Sequence, residues 1–209
     1  MQFRNRDDAA HKLAEKLERY RDQSPLVLAI PRGAVPMADI IAKTLGGEMD
    51  VVLVRKMRAP GNTELAIGAV DEIGWIYLAD YARQMADDVY IEAEKNAQLE
   101  VMRERRAQYT PVRPPHDPAG RVVIVVDDGL ATGATMIAAL HALRARNPKK
   151  LVCAVPVAPH DTLKKVEAYA DEVVCLSVPE YFYAVGQFYV DFPQVSDREV
   201  MALLRVNES

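Results

Sequence analysis

Asp127 and Asp128 stand side by side at the end of the apolar run RVVIVV, and the chain continues at once as Gly129-Leu130-Ala131-Thr132-Gly133-Ala134-Thr135. Two carboxylates accept hydrogen bonds from two neighbouring hydroxyls. Glycines beside hydroxyl-bearing residues let backbone N–H groups approach an anion, and a helix starting at about Gly133 would aim its free amides and positive dipole end at the same place. Together these residues describe a ligand with a vicinal diol beside a phosphate monoester, the shape of ribose 5-phosphate. A helix cap needs only one aspartate, so capping explains neither the second carboxylate nor the loop. The triphosphate loop GxxxxGK[ST] is excluded because no lysine follows Gly133, and the dinucleotide fingerprint GxGxxG is absent.

Cations stand behind other apolar runs. Arg32 and Gly33 follow PLVLAI within IPRGAVP, where a guanidinium and backbone amides can converge on phosphate oxygens. Arg55 and Lys56 end the run VVLV, and Arg58 opens the loop MRAPGNTE, whose Pro-Gly-Asn content favours a mobile turn. Glu64 in that loop would pair with these cations when the loop is open. Six aromatic residues, Tyr181, Phe182, Tyr183, Phe188, Tyr189 and Phe192, crowd a short tail stretch. They form either a stacking wall for a flat ring, with Tyr181, Phe182 and Phe188 as acceptor-binding candidates, or a satellite core pinning the helix SDREVMALLRV onto the sheet. The histidines have no metal spacing, although His160 and Asp161 follow an apolar run at the same edge as the aspartates.

The elements that must position these residues alternate. PLVLAI, MDVVLVRK, RVVIVV, LVCAVPVA and EVVCLSV read as strands, separated by helical patterns such as VPMADIIAKTLG and ATMIAALHALRAR. This rhythm predicts an α/β fold with a central, mostly parallel sheet flanked by helices. In RVVIVV both Val122/Ile124/Val126 and Val123/Val125 are apolar, as a strand covered on both faces requires. Ligands of such sheets bind beyond the carboxyl ends of the strands, where Asp127 and Asp128 stand. ELAIGAV and WIYLA predict a short antiparallel excursion. Tyr81 to Tyr109 predicts one long charged helix, ended by TPVRPPHDPAG. Most of its charges are read as a solvated face, while its stripe Val89, Leu99 and Met102 fits either its own chain or a partner copy, leaving a homodimer as an open expectation.

A chain of 209 residues, half of them hydrophobic, can bury one full core, and a single domain over 1–209 is expected. The net charge of -4 supplies no general basic field, which argues against nucleic acid as partner. No apolar run reaches membrane-span length and the charged N-terminus lacks a leader pattern, so no membrane and a cytoplasmic location are expected. Cys153 and Cys175 lie in apolar runs and read as buried, reduced thiols.

The segment VVIVVDDGLATGAT resembles the phosphoribosyl-pyrophosphate (PRPP) signature of the type I phosphoribosyltransferases. AIPRGAVPMADIIAKTLG is similar to that family's pyrophosphate-binding loop and following helix, VVLVRKMRAPGNTELAIGAV to its mobile catalytic loop, and the C-terminal third, about 177–209, to its hood. The tail YFYAVGQFYVDFPQVSD looks like a bacterial branch without a settled substrate, and about 80–110 stands out as a helical insertion. The resemblance implies displacement of pyrophosphate from the anomeric carbon of PRPP by a nitrogenous acceptor, with a nucleobase expected. It assigns Asp127, Asp128, Arg55 and Lys56 to catalysis, the two aspartates holding the ribose hydroxyls and favouring a cationic ring. Gly129, Ala131, Thr132, Gly133, Ala134 and Thr135 would hold the 5-phosphate, and Arg32, Gly33, Arg55 and Lys56 the pyrophosphate. Mg²⁺ would ride on PRPP with no direct protein ligand. Ala131 stands where 6-oxopurine members carry an acid, which weakens a hypoxanthine or guanine acceptor; the loop is more like adenine-type loops, but the tail is not. The alternative on the same fold is a PRPP-binding regulatory protein without turnover.

Overall fold

A computed structural model describes residues 1–109 and 115–206, apart from the side chains of Glu64 and Val206. The role expected of Glu64 and the Thr110–Pro114 part of the proline-rich connector therefore lie outside the described residues. Five parallel strands form the main sheet in the order β2 (Glu48–Val51), β1 (Leu26–Ala29), β6 (Val122–Val126), β7 (Lys150–Val157), β8 (Glu172–Ser177). The expected antiparallel excursion is a separate sheet of β3 (Val54–Ala59), β4 (Asn62–Asp71) and β5 (Ile76–Leu78), which shares no ladder with the first.

The alternation along β6 sorts its side chains into two cores. Val122, Ile124 and Val126 join Val27, Ala29, Val152 and Ala154 beneath α1 (Arg6–Lys16), α2 (Val35–Leu45) and α7 (Asp197–Val206). Val123 and Val125 join Leu26, Leu28, Leu151, Cys153 and Val155 beneath α5 (Ala134–Arg144). Both faces are covered, so every inward position can be apolar, as the sequence implies. Local signals set the helix ends. Asn5 accepts the Asp8 N–H at 3.0 Å to start α1, and Ser196 and Glu199 cap each other's amides to start α7. α7 packs chiefly on α2.

Two expectations are corrected. The run VVLV is not one strand: the chain leaves β2 at Val51 and begins β3 at Val54, so Arg55, Lys56 and Arg58 lie inside an antiparallel strand rather than at a strand end or in a loop. Only Pro60 and Gly61 separate β3 from β4, which makes MRAPGNTE mostly a paired hairpin. The helix expected from Tyr81 to Tyr109 is broken into α3 (Ala82–Met85) and α4 (Asp88–Tyr109), with Ala86 extended. The Asp87 side chain accepts the Tyr90 N–H at 2.8 Å, so it caps a new helix instead of continuing the old one. Among the described residues no helix is long and apolar enough to cross a membrane.

Candidate active site

The carboxyl ends of β1 and β6 leave the main sheet together. Ala29 pairs with Val126, and the Ile30 N–H donates to the Val126 carbonyl at 3.0 Å. The turn Pro31–Gly33 and the acidic pair thus emerge at one level, on the walls of a cleft of about 500 Å³. Asp127 Oδ1 accepts the Asp128 N–H at 2.9 Å. Asp128 Oδ2 accepts from Arg6 Nε at 3.0 Å and Nη2 at 2.8 Å. Each carboxylate therefore has one oxygen engaged and one, Asp127 Oδ2 and Asp128 Oδ1, without a hydrogen bond among the described residues. Two free acceptors on adjacent residues match two adjacent hydroxyls. Burial and the neighbouring Asp128 push the Asp127 carboxyl well above the usual carboxylate range, against the pull of the Asp128 N–H, Lys56 and Arg6. Burial also raises Asp128, with Arg6 as the main opposing influence.

The loop after the pair closes one end of the cleft. The Leu130 N–H donates to the Val157 carbonyl at 2.9 Å, and Thr162 Oγ1 donates to the Ala131 carbonyl at 2.7 Å, so β7 and α6 (His160–Glu167) hold the loop. Gly133 has φ 77°, a left-handed conformation costly for other residues, and a Cβ there would lie 2.9 Å from Thr162 Cγ2. Gly129, Ala131, Thr132, Gly133 and Thr135 line the cleft, whereas Ala134 is buried behind them. The backbone of Ala134 is also tied locally, its N–H donating to Thr132 Oγ1 at 3.4 Å.

The same cleft is lined by Arg32, Arg55, Lys56 and Arg58. Alternation along β3 alone would send Arg55 and Lys56 to opposite faces; both nevertheless border the cleft, Lys56 exposed and Arg55 half-buried. α4 braces this strand: Arg55 Nε donates to Gln98 Oε1 at 3.0 Å, and the Arg58 N–H to Glu94 Oε1 at 3.0 Å. Glu94 is thus one helix charge that acts on the cationic strand rather than facing solvent alone. Burial first, then the positive charge of Arg105, Arg58 and Arg32, pushes Arg55 below its ordinary value. Such mutual repulsion is relieved by an anion. Arg32 finds a counterion in Asp197 of α7 at 3.4 Å.

Tyr181, Phe182 and Phe188 do not line the cleft. Tyr181 is exposed, while Phe182 and Phe188 pack on each other, ring centroids 5.4 Å apart. Their place in the wall is taken by Val185 and Phe192, with Leu65 and Tyr81 contributed by β4 and the turn before α3. Sequence reasoning also missed Arg6, although a signal existed: it opens the buried stripe Ala9, Ala10, Leu13 and Ala14 of an otherwise apolar helix face. His160 and Asp161 are not among the cleft residues.

Comparison with known proteins identifies the family. Residues 3–193 match the model of the phosphoribosyl transferase domain. Over 204 residues, 97% of this chain, the sequence is 41% identical to two Mycobacterium tuberculosis proteins, MT0597 of strain CDC 1551 / Oshkosh and Rv0571c of strain ATCC 25618 / H37Rv. Both carry a provisional phosphoribosyl transferase name, and the chain spans 46% of their length. The crystal structure of TT1426 from Thermus thermophilus is 48% identical, with a TM-score of 0.83 and 100% of each chain covered. With the domain match running across the acidic pair, the glycine-rich loop and the cationic strand, the chain belongs to the phosphoribosyl transferase domain family.

Proposed function

We propose that residues 1–209 form a single phosphoribosyl-transfer unit that takes PRPP and passes its 5-phosphoribosyl group to a nitrogenous acceptor, a nucleobase by preference, releasing pyrophosphate. One observation carries this reading: two free carboxylate oxygens and four cations border the same cleft, whose end is a glycine-rich loop leading into a helix. In this arrangement Asp127 and Asp128 accept the ribose hydroxyls, and their charge favours positive character on the ring as the bond to pyrophosphate lengthens. Gly129, Ala131, Thr132, Gly133 and Thr135 surround the 5-phosphate. Ala134 contributes as the first residue of α5, whose amino end faces the loop. Arg32, Gly33, Arg55 and Lys56 take the leaving group, with Arg58 beside them.

Two free carboxylate oxygens fit a hydrated Mg²⁺ carried chiefly by the diphosphate better than a protein cage, since that ion keeps several waters. When bound, it neutralises charge on the departing pyrophosphate. The acceptor enters along Val185 and Phe192, with Tyr181, Phe182 and Phe188 supporting the tail from outside the cleft. Ala131 is exposed at the loop and offers no proton-transfer group there, so a 6-oxopurine is disfavoured. A cytoplasmic setting accords with the unpaired thiols of Cys153 and Cys175.

Incubation with PRPP, Mg²⁺ and a panel of bases, followed by pyrophosphate detection, tests the reading. Release with one base names the acceptor. Saturable PRPP binding without release by any base supports a regulatory binder on this fold, and no PRPP binding at millimolar concentration refutes both.

A further inference from the structure

Arg6 is only 9% exposed, and all three of its guanidinium nitrogens are engaged. Nε and Nη2 converge on Oδ2 of Asp128, and Nη1 donates to the Pro193 carbonyl at 2.6 Å. The guanidinium carbon also lies 3.8 Å from the centroid of the Phe192 ring. Asp128 and Phe192 line the cleft, whereas Arg6 does not. A buried guanidinium matched this fully is held by its partners and holds them in return.

Two neighbours reinforce the arrangement. The Tyr189 hydroxyl donates to the Asp128 carbonyl at 2.7 Å, a second tie between the tail and the acidic pair. Gly33 supplies the room: a Cβ there would lie 2.1 Å from Asp128 Oδ2 and 3.1 Å from Arg6 Nη2, so any side chain at this position would drive the ion pair apart. Besides the exposure of its backbone to the cleft, Gly33 therefore has a steric duty toward residues 6 and 128.

We infer that Arg6 is a positioning residue that sets both halves of the cleft at once: it holds one oxygen of Asp128 so that the other meets a sugar hydroxyl, and it fixes the tail wall at Phe192. The sugar half rests on the PRPP reading, while the tail half stands on geometry alone. Lysine cannot replace Arg6, because an ammonium offers neither the planar fork nor the stacking face.

The test is a double-mutant cycle read by calorimetric titration with PRPP and Mg²⁺. Arg6→Ala is expected to weaken binding about 10-fold, in line with the loss of supporting hydrogen bonds around other ligand-holding groups. In an Asp128→Ala background, with no carboxylate left to orient, the same change should alter binding by less than about twofold. Arg6→Lys should remain within about threefold of Arg6→Ala. Hydrogen exchange without ligand reads the tail half, with the amides of 186–192 expected to exchange about 10-fold faster in Arg6→Ala. Binding within about twofold of the wild type, or an equal loss in both backgrounds, overturns the sugar half; unchanged exchange overturns the tail half. If the wild type binds no PRPP, the phosphoribosyl reading falls together with the sugar half, and the exchange rates alone decide the other. If Arg6→Ala does not fold, Arg6→Gln carries the same comparisons.

Discussion

Gln98 of α4 accepts a hydrogen bond from Arg55 Nε at 3.0 Å and donates from its own Nε2 to Glu94 Oε1 at 3.0 Å. The same Glu94 oxygen takes the Arg58 N–H and the Tyr90 hydroxyl donates to the Arg58 carbonyl at 3.0 Å, so one face of the helix holds the cationic strand through three side chains. Gln98→Leu should leave Arg55 without its acceptor among repelling arginines. Each such hydrogen bond contributes about 1 kcal/mol, so inhibition by inorganic pyrophosphate should weaken about fivefold with the melting temperature little changed. Unaltered pyrophosphate affinity would show that α4 does not position Arg55.

Both aspartates titrate above the ordinary 3.8 in the folded chain, Asp127 more strongly. Between 3.8 and the raised values the folded state binds more protons than the unfolded one, so stability falls as pH rises through that window and stays reduced above it. Asp127→Asn removes the buried charge and keeps an oxygen for the Asp128 N–H. At neutral pH it should raise the melting temperature by about 2–4 °C for each kcal/mol recovered, with the gain vanishing in acid, while PRPP binding is lost. Thermal scans across pH read the sign directly, and a lower melting temperature at pH 7 contradicts the argument.

Gly133→Ala tests the loop. A left-handed alanine costs about 1–2 kcal/mol, and its methyl would also press on Thr162. Urea unfolding should show at least that loss. Affinity for ribose 5-phosphate should fall as well, because α6 cannot recede without releasing the Ala131 carbonyl.

Tyr189→Phe removes the donor to the Asp128 carbonyl. Burial holds the phenol far above its ordinary pKa, so it remains a donor throughout the working range. The orphaned carbonyl should cost about 1–3 kcal/mol in chemical denaturation. A change under about 0.5 kcal/mol would mean that the tail is not held at this point.

The sheet, both its apolar faces and the acidic pair at its edge were legible because β6 is short, uninterrupted and followed at once by residues that line the cleft. Thr132, Gly133 and Thr135 came with it, since strand, loop and helix are contiguous. What escaped depends on contacts distant in sequence. Arg6 lies 122 positions from Asp128, and its place at the head of the stripe Ala9, Ala10, Leu13 and Ala14 hints at burial without naming that partner. The tail shows the same limit: composition marked an aromatic cluster, yet packing among the rings turned Phe182 and Phe188 away and brought Val185 and Phe192 to the cleft. The break at Ala86 was visible only as Asp87, whose preference for a cap over a helix interior is too small by itself to interrupt a long helical pattern.

The acidic pair and the cationic strand belong to different sheets with no shared ladder. What joins them is the short link of Val52 and Leu53 between β2 and β3 together with side-chain contacts between layers, not a shared ladder. Movement of Arg55 and Lys56 toward an anion in the cleft would therefore have no β-ladder rung to break between the two sheets.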